Sequence, residues 1–352
     1  MSNVFGLNGK PVDLPEENAE LLTIQQEMLD TINKVDEYCK NRGKLGGLDW
    51  GMESMNKAFD GLNPGLIIVA GQANVGKSAF CMQLGWSIAK ANQTVRTSER
   101  PNKAYVLYFS LDDNATELLP RIVAIEESVP INVVKAPAKY EDERPDLMSR
   151  RTAGINKLKQ ALPFFKIIDS TQGSSIEFIE EQVRRHHLEL QSRDEAYKLV
   201  VIIDNFHDIT VDQINFRDNS NAKFEHISNE LSRVCTQYDI PVICTAEFRK
   251  LNGNRRPIVD DVRESGKIAY EAKAIMLCYN EVGLRGEAAS VYFSRGEAEF
   301  SRYKQPVLEV KVGKNKYSSY KGRMFYNFYP EMSRLNEADE ADTLKYSQMI
   351  IG

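Results

Sequence analysis

The sequence is poor in cysteine, and its cysteines are not placed for metal binding or cross-linking. Five occur in 352 residues, and no two of them form a Cys-x-x-Cys pair. No group of cysteines and histidines has the spacing of a zinc site. The chain start, MSNVFGLNGKPVDLPEE, lacks the basic stretch and apolar run of a secretory signal. These absences exclude a disulfide-rich secreted module and a zinc module, and they predict a reduced, intracellular protein of the cytoplasm.

Long hydrophobic runs and an excess of positive charge are also missing. No apolar stretch approaches the roughly 18 residues of a membrane helix, so no membrane partner is expected. The 45 Lys and Arg residues are outnumbered by 50 Asp and Glu residues, which gives a formal net charge of -5. A protein held to nucleic acid by bulk charge is therefore excluded, whereas a local basic groove is not.

From Leu66 onward, strand-like and helix-like patterns alternate. Short β-branched runs predict strands at 66–71, 104–111, 163–169, 199–204 and 240–245, and helical patterns lie at 78–90, 118–128, 176–197 and 224–238. Apolar strands separated by helices indicate an α/β fold with a mostly parallel central sheet that is covered on both faces. Four later runs, at 274–279, 290–294, 307–312 and 323–328, predict antiparallel hairpins that extend this sheet.

The two ends of the chain have a different character. Residues 1–16 show no period, and apolar residues at helical spacing between 21 and 35 predict one helix. Residues 331–352 are rich in acids and predict a loose tail. The chain is therefore divided into an arm with one helix (1–44), a large α/β domain (45–330) and an acidic C-terminal tail (331–352).

The strongest motif is Gly71–Ser78, GQANVGKS, which matches G-x-x-x-x-G-K-[ST] between a predicted strand and a predicted helix. Such a loop surrounds phosphate oxygens with backbone N–H groups, and the helix N-terminus adds partial positive charge. A chance glycine turn is disfavoured because strand, loop and helix occur in the required order. Lys77 is expected to reach the β- and γ-phosphates, and Ser78 to ligate Mg²⁺. The nucleotide-binding set is Gly71, Asn74, Val75, Gly76, Lys77, Ser78 and Ala79.

A second acid is needed to hold the metal. Asp204 ends the apolar run LVVIID, and an aspartate at the carboxyl end of a buried strand is the Walker B arrangement. Ligands of open α/β sheets bind at this edge, so Asp204 is expected beside the phosphate loop. An aspartate at a strand end is common, and the prediction depends on its combination with the loop.

Five blocks resemble those of one family, in its order and spacing. The segment 62–66 (LNPGL) resembles the "GL-PG-L" of RecA-like ATPases. The other four resemble "FSLEM", "PVI-LSQL-R", "RP-LSDLRESGAIE" and "K-x-R" of DnaB-type replicative helicases, and they lie at 108–113 (YFSLDD), 241–249 (PVICTAEFR), 257–268 (PIVDDVRESGKI) and 314–316 (KNK). The DVRESG block is the most specific, so the chain is similar to the RecA-like ATPase domain of that family, a P-loop fold.

The resemblance implies a set of partners. The domain would form a homo-oligomeric ring, usually a hexamer, with ATP and Mg²⁺ between subunits and single-stranded DNA in the channel. The helix of 21–35 would be the linker helix that packs on the adjacent protomer, and a separate primase or helicase loader is a further possible partner. The residues carried over to the DNA-binding loop are Arg263, Glu264, Gly266 and Lys267, the arginine pairing with phosphate.

Three site positions depart from the family pattern, and the segment 268–273 (IAYEAK) differs from the family's "IEQDAD". Asp112 stands where the family has the glutamate that orients the attacking water, one methylene shorter, and Asp113 beside it is the alternative. Glu247 replaces the glutamine that senses the γ-phosphate, and a carboxylate there needs a partner, for which Arg249 is the candidate. Lys316 replaces the arginine finger and lacks its planar fork, with Lys314 assisting. The full catalytic set is Lys77, Asp112, Asp204, Glu247, Lys314 and Lys316.

The first hypothesis is therefore an ATP-hydrolysing, ring-forming translocase of the DnaB type that acts on single-stranded DNA in replication. The departures leave an alternative open, an ATP-dependent DNA-binding assembly or loading factor with weak hydrolysis and no processive unwinding. A recombinase-like or clock-like relative is a third interpretation, which the DVRESG block disfavours.

Overall fold

The computed structural model describes residues 23, 25–33, 46–93, 103–193, 197–212, 220–250, 255–263, 265–294 and 303–351. The chain divides into two compact units, Met1–Gly46 and Gly47–Gly352. In the first unit, residues 25–33 form helix α1, which lies within the helix predicted for 21–35. Apart from Thr23, which is also helical, the other residues of that predicted helix lie outside the described ones.

In the described part of the second unit, one sheet has ten strands in the order β10-β9-β8-β6-β1-β5-β4-β2-β3, with β7 paired to β8. Strands from β6 to β3 in this order are parallel, and the pairings that involve β7 to β10 are antiparallel. The strands are β1 Gly65–Gly71, β2 Lys103–Ser110, β3 Phe165–Asp169, β4 Tyr197–Asp204, β5 Pro241–Glu247, β6 Ala274–Asn280, β7 Tyr292–Phe293, β8 Gln305–Asn315, β9 Arg323–Tyr329 and β10 Arg334–Glu337.

Helices cover both faces of this sheet. They are α2 Glu53–Phe59, α3 Lys77–Ala91, α4 Ala115–Glu127, α5 Ile131–Lys135, α6 Pro145–Ala161, α7 Ile176–Gln191, α8 Ser220–Gln237, α9 Ser265–Glu271, α10 Glu281–Arg285 and α11 Glu340–Ile351. None of the helices that the structure describes is both long and apolar enough to cross a bilayer.

The central strands are buried on both faces because alternate side chains enter two separate cores. Ile67 and Val69 of β1 join the core that contains Phe80 of α3. Leu66 and Ile68 join the other core, which α7 and α8 cover. The predicted architecture, an α/β sheet that is mostly parallel and ends in antiparallel hairpins, is confirmed.

The expectation of a loose tail at 331–352 is wrong, because this segment contains β10 and α11. β10 pairs with β9 in antiparallel register. The α11 side chain Tyr346 is fully buried beside Phe325, and its hydroxyl donates to Asn327 Oδ1 at 2.7 Å. The carboxylate of Glu337 accepts the backbone N–H groups of Glu53 and Ser54. The predicted helix at 176–197 is also too long, since α7 ends at Gln191 and β4 begins at Tyr197.

Candidate nucleotide-binding site

The loop between β1 and α3 turns tightly on two residues with positive φ, Asn74 at 61° and Gly76 at 106°. A Cβ added at Gly71 would lie 2.9 Å from Val75 Cγ2, so the glycine is required where the loop folds back. Val75 is buried, and its carbonyl accepts Asn280 Nδ2 at 3.4 Å from the end of β6. The loop therefore has the compact form of a phosphate-binding loop at a helix N-terminus.

Lys77 directs its ammonium group into this loop. Its Nζ donates to the carbonyls of Gly71 at 3.0 Å and Gln72 at 2.7 Å. Burial lowers the pKa of Lys77, although the nearby charges of Glu247 and Asp204 oppose that shift. Ser78 is half-buried in the first turn of α3. Ala79 is buried and can offer a ligand only its backbone polar groups.

Asp204 lies at the carboxyl end of β4, two strands from β1 in the sheet. Its carboxylate is buried and accepts two hydroxyls, Thr245 Oγ1 at 2.6 Å and Tyr108 OH at 3.1 Å. Sequence reasoning missed both hydroxyl residues, which stand on the flanking strands β5 and β2. Their donation fixes the orientation of the carboxylate, as hydrogen bonds to metal ligands commonly do. The donor set of Ser78 and Asp204, two oxygens, suits Mg²⁺.

Asp112 is exposed in the turn that follows β2. This turn is tied to the Walker B strand, since the N–H of Leu111 donates to the carbonyl of Asp204 at 2.7 Å. The neighbouring Asp113 forms an ion pair with Arg121 at 2.9 Å. Of the two adjacent aspartates, Asp112 is therefore the better candidate for a base.

Several carboxylates gather at this edge of the sheet. Burial raises the pKa of Asp208, and the charges of Asp112, Glu247 and Asp204 raise it further. The strand register, in which Ser110 pairs with Asp204 and Ile203 with Cys244, brings Asp112, Asp204 and Glu247 to this same edge. Asp208 itself was not predicted, although it lies only four positions beyond Asp204.

Glu247 ends β5 directly beside Gly71 in the sheet register. Its side chain faces Arg263, with Oε2 at 3.9 Å from Nη1. Its carbonyl also accepts the Arg263 backbone N–H at 2.8 Å. The expected partner, Arg249, is instead exposed, and its backbone N–H donates to the Asp261 carbonyl. The expectation that Arg249 pairs with Glu247 is wrong because the chain turns outward after Phe248.

His207 is a further residue of this site that the predicted catalytic and binding sets do not include. Its Nδ1 accepts the Glu247 backbone N–H at 3.4 Å, and its ring packs edge-on against Phe206 and Phe224. Burial lowers the pKa of His207 to about 4, and the charges of Arg263 and Lys77 contribute to the shift. The ring is therefore neutral near pH 7 and remains an acceptor.

The segment with the predicted DNA-binding residues joins β5 through a bridge between Phe248 and Val262. Arg263 is half exposed. Lys267 forms ion pairs with Glu225 at 3.4 Å and Glu271 at 3.9 Å. A Cβ at Gly266 would meet no heavy atom within 4 Å, so its backbone is open to a ligand. Glu264 lies outside the described residues.

Lys314 and Lys316 lie at the opposite end of the strands from the phosphate loop. Asn315 between them pairs with Ala274, the first residue of β6, whereas Gly71 pairs near its far end. Gly71 pairs with Cys278, so the two positions are four residues of strand apart, or roughly 13 Å. Lys314 Nζ donates to the carbonyls of Ala269 and Tyr270 at the end of α9, and Lys316 is exposed. Neither lysine faces the phosphate loop of its own chain.

Comparison with known proteins decides the family. Residues 47–337 match the model of the DnaB-like helicase C terminal domain. The chain belongs to this family. Over 70% of its length it is 27% identical to a probable replicative DNA helicase from Trieres chinensis, and the match covers 50% of that protein. Over 88% of its length it is 26% identical to the replicative DNA helicase DnaB from Haemophilus influenzae, and the match covers 60% of that protein. The chain thus spans 50% and 60% of the length of these two curated relatives.

Solved structures agree on the fold of this DnaB-like domain. A separately solved ATPase domain superposes with a TM-score of 0.72 at 18% identity, over 89% of this chain and 98% of that one. A DnaB-like replicative helicase, described with its interactions with primase, gives 0.69 at 18% identity, over 94% and 69% of the two chains. At this identity the likeness shows a common fold.

Proposed function

We propose that this DnaB-like domain binds and hydrolyses ATP with Mg²⁺ and uses hydrolysis to move along single-stranded DNA in replication. The observation that carries the proposal is the meeting of the phosphate loop, the hydroxyl-held Asp204 and the acids Asp112 and Glu247 at one sheet edge. The family and its helicase relatives support the same activity.

The residues have separate tasks in this proposal. The loop N–H groups and Lys77 hold the phosphates, and Ser78 and Asp204 hold the metal, which when bound neutralises charge on the phosphates. Asp112 orients the attacking water. Because Tyr108 and Thr245 fix Asp204, that carboxylate does not need to reorganise when ATP arrives.

The positions of Lys314 and Lys316 support a ring of subunits. A side chain that is displaced by roughly 13 Å along the strands from its own phosphate loop, and that does not face it, acts on ATP only in a neighbouring copy. Lys316 is exposed for that role, whereas Lys314 is tied to the end of α9 and positions the strand. A hexameric ring around single-stranded DNA, recruited by a separate primase or loader, completes the proposal.

We expect a mixing experiment to show that Lys316 acts between subunits. Lys77→Ala and Lys316→Ala proteins should each hydrolyse ATP at less than about a tenth of the normal rate, because each lacks one positive charge that stabilises the phosphates. Mixed rings pair an intact Lys77 with an intact Lys316 at some interfaces. ATP turnover measured after subunit exchange should therefore exceed that of either protein alone. A mixture no more active than its components would contradict the trans role.

Arg263→Ala is expected to weaken single-stranded DNA binding about tenfold, because a half-exposed guanidinium that meets a phosphate is lost. The slope of log affinity against log salt should fall by about one ion. The measurement is fluorescence anisotropy of a labelled oligonucleotide at several salt concentrations. Arg184→Ala, an exposed arginine on α7, is the matched control and should bind normally. An unchanged salt slope in Arg263→Ala would contradict the DNA-binding role.

A forked-duplex assay tests the function as a whole. A translocase separates the strands in an ATP-dependent reaction, and Lys77→Ala does not. An assembly or loading factor binds DNA with ATP and leaves the fork intact. ATP-dependent DNA binding without any strand separation would overturn the proposed helicase activity.

A further inference from the structure

Glu247 joins the nucleotide side of the site to the DNA-binding segment. On one side, its N–H donates to His207, which follows shortly after Asp204 and β4. Its strand β5 also pairs with Gly71 of the phosphate loop. On the other side, its carbonyl accepts the backbone N–H of Arg263 and its carboxylate faces the Arg263 guanidinium. A single residue is thus in contact with both functional segments.

The carboxylate also lies between two cationic groups. It is 3.9 Å from Arg263 Nη1, and its charge acts on the Lys77 ammonium inside the phosphate loop. The other carboxylates of the cluster, Asp112, Asp204 and Asp208, show no ion pair with Arg263 among the described residues. The Arg263 charge is therefore balanced locally by Glu247.

We propose that Glu247 competes with nucleic-acid phosphate for Arg263, so that the domain without nucleotide withholds this arginine from DNA. The inference rests on the proposed function, in which Arg263 binds the DNA backbone. A carboxylate and a phosphate oxygen present the same kind of acceptor to a guanidinium, and one guanidinium edge cannot pair fully with both.

The geometry makes this a weak competitor. The two side chains are 51% and 37% exposed, and the 3.9 Å separation is long for an ion pair. Exposed pairs of this kind are worth little, and a DNA phosphate displaces the carboxylate at a small cost. Glu247 therefore lowers DNA affinity without abolishing it, and a few-fold effect is expected.

Nucleotide gives the competition a direction. Phosphates held by Lys77 bring negative charge toward Glu247, which stands at the strand end beside Gly71. Repulsion between like charges favours movement of the carboxylate away from the phosphates and changes its contact with Arg263. DNA affinity is therefore expected to rise when nucleotide binds, through loss of the Glu247–Arg263 contact. A glutamine at this position has no charge with which to respond.

A double-mutant cycle tests the proposal with the full chain. Binding of a labelled single-stranded oligonucleotide is measured without nucleotide at fixed salt for wild type, Glu247→Gln, Arg263→Ala and the double variant. Glu247→Gln should bind about two- to five-fold tighter, the range that an exposed ion pair supplies. In the Arg263→Ala background the same change should alter affinity less than about 1.5-fold.

The matched control is Asp208→Asn, which removes one carboxylate from the same cluster. It separates a general loss of negative charge from the specific pair. An equal gain from Asp208→Asn, or an equal gain from Glu247→Gln with and without Arg263, would overturn the competition. No gain in Glu247→Gln would do so as well.

The outcome is distinguishable from that of the proposed function. If the protein separates strands and its Arg263→Ala variant binds DNA normally, the helicase proposal stands and the competition is overturned. If the cycle shows the expected coupling but the protein separates no strands, the competition is supported and the helicase proposal is overturned.

Discussion

Replacing Lys77 by alanine is expected to reduce ATP turnover by about 10²–10³-fold or more. The Lys77 ammonium lies inside the phosphate loop, held by the carbonyls of Gly71 and Gln72, and this position lets it stabilise charge that grows on the transferred phosphoryl group. Alanine removes the charge and keeps the helix, because alanine has the highest helix propensity. Phosphate release at saturating ATP and single-stranded DNA is the measurement.

The matched control for this change is Lys90→Ala, near the other end of the same helix. Lys90 forms an ion pair with Glu126, and the length of helix between the two lysines places it about 20 Å from Lys77. Its turnover should be close to normal. DNA-stimulated turnover retained in Lys77→Ala would overturn the assignment of the phosphate loop, provided that circular dichroism shows both variants to be folded.

The phosphate loop could be predicted from sequence because its determinants are local. The residues that need positive φ or close backbone approach, Gly71 and Gly76, stand within the motif itself. The central sheet was predictable for a similar reason. Strands buried on both faces, such as β4, are nearly continuous runs of β-branched residues.

The contacts around Asp204 and Glu247 could not be predicted in this way. Tyr108 and Asp204 are 96 positions apart, and Glu247 and His207 are 40 apart. Their meeting depends on strand order, in which β4 lies between β2 and β5. Hydroxyl and imidazole groups carry no local signal of the carboxylate or N–H group that they will contact.

The C-terminal segment was misjudged because composition hid its pattern. The acids of 331–342 indicate a solvated tail, yet they flank the apolar side chains Leu335 and Tyr346, which are both buried. One or two apolar residues decide the position of a short edge strand or a terminal helix. Averages over such a segment do not report them.

Glu309→Ala is expected to destabilise the domain by about 3–5 kcal/mol. Glu309 is 3% exposed and accepts Arg256 Nε and Arg323 Nε, both at 2.7 Å. Arg256 also approaches the buried Glu281, which Arg285 neutralises. Removal of the Glu309 carboxylate leaves two guanidinium groups without that partner. A fall in melting temperature on the order of 10 °C is the expected measurement.

The Glu53–Lys57 pair supplies the control, because it has a 2.7 Å contact but lies in solvent. Glu53→Ala should leave the melting temperature nearly unchanged. Glu309→Gln, which keeps the shape and loses the charge, should fall between the two. Equal melting temperatures for Glu309→Ala and wild type would contradict the assigned role of this buried network.

The same network changes how the basic residues of the chain are understood. Residues 304–323 contain six Lys and Arg side chains and one acid, Glu309, a pattern that fits a nucleic-acid channel or an edge hairpin kept soluble by lysines. In the structure that acid fixes Arg323, and the Lys311 and Lys314 ammonium groups donate to backbone carbonyls. Charges engaged in this way stabilise the hairpin and are poorly placed to bind phosphate. A stability loss in Glu309→Ala with unchanged DNA affinity would separate these structural cations from Arg263.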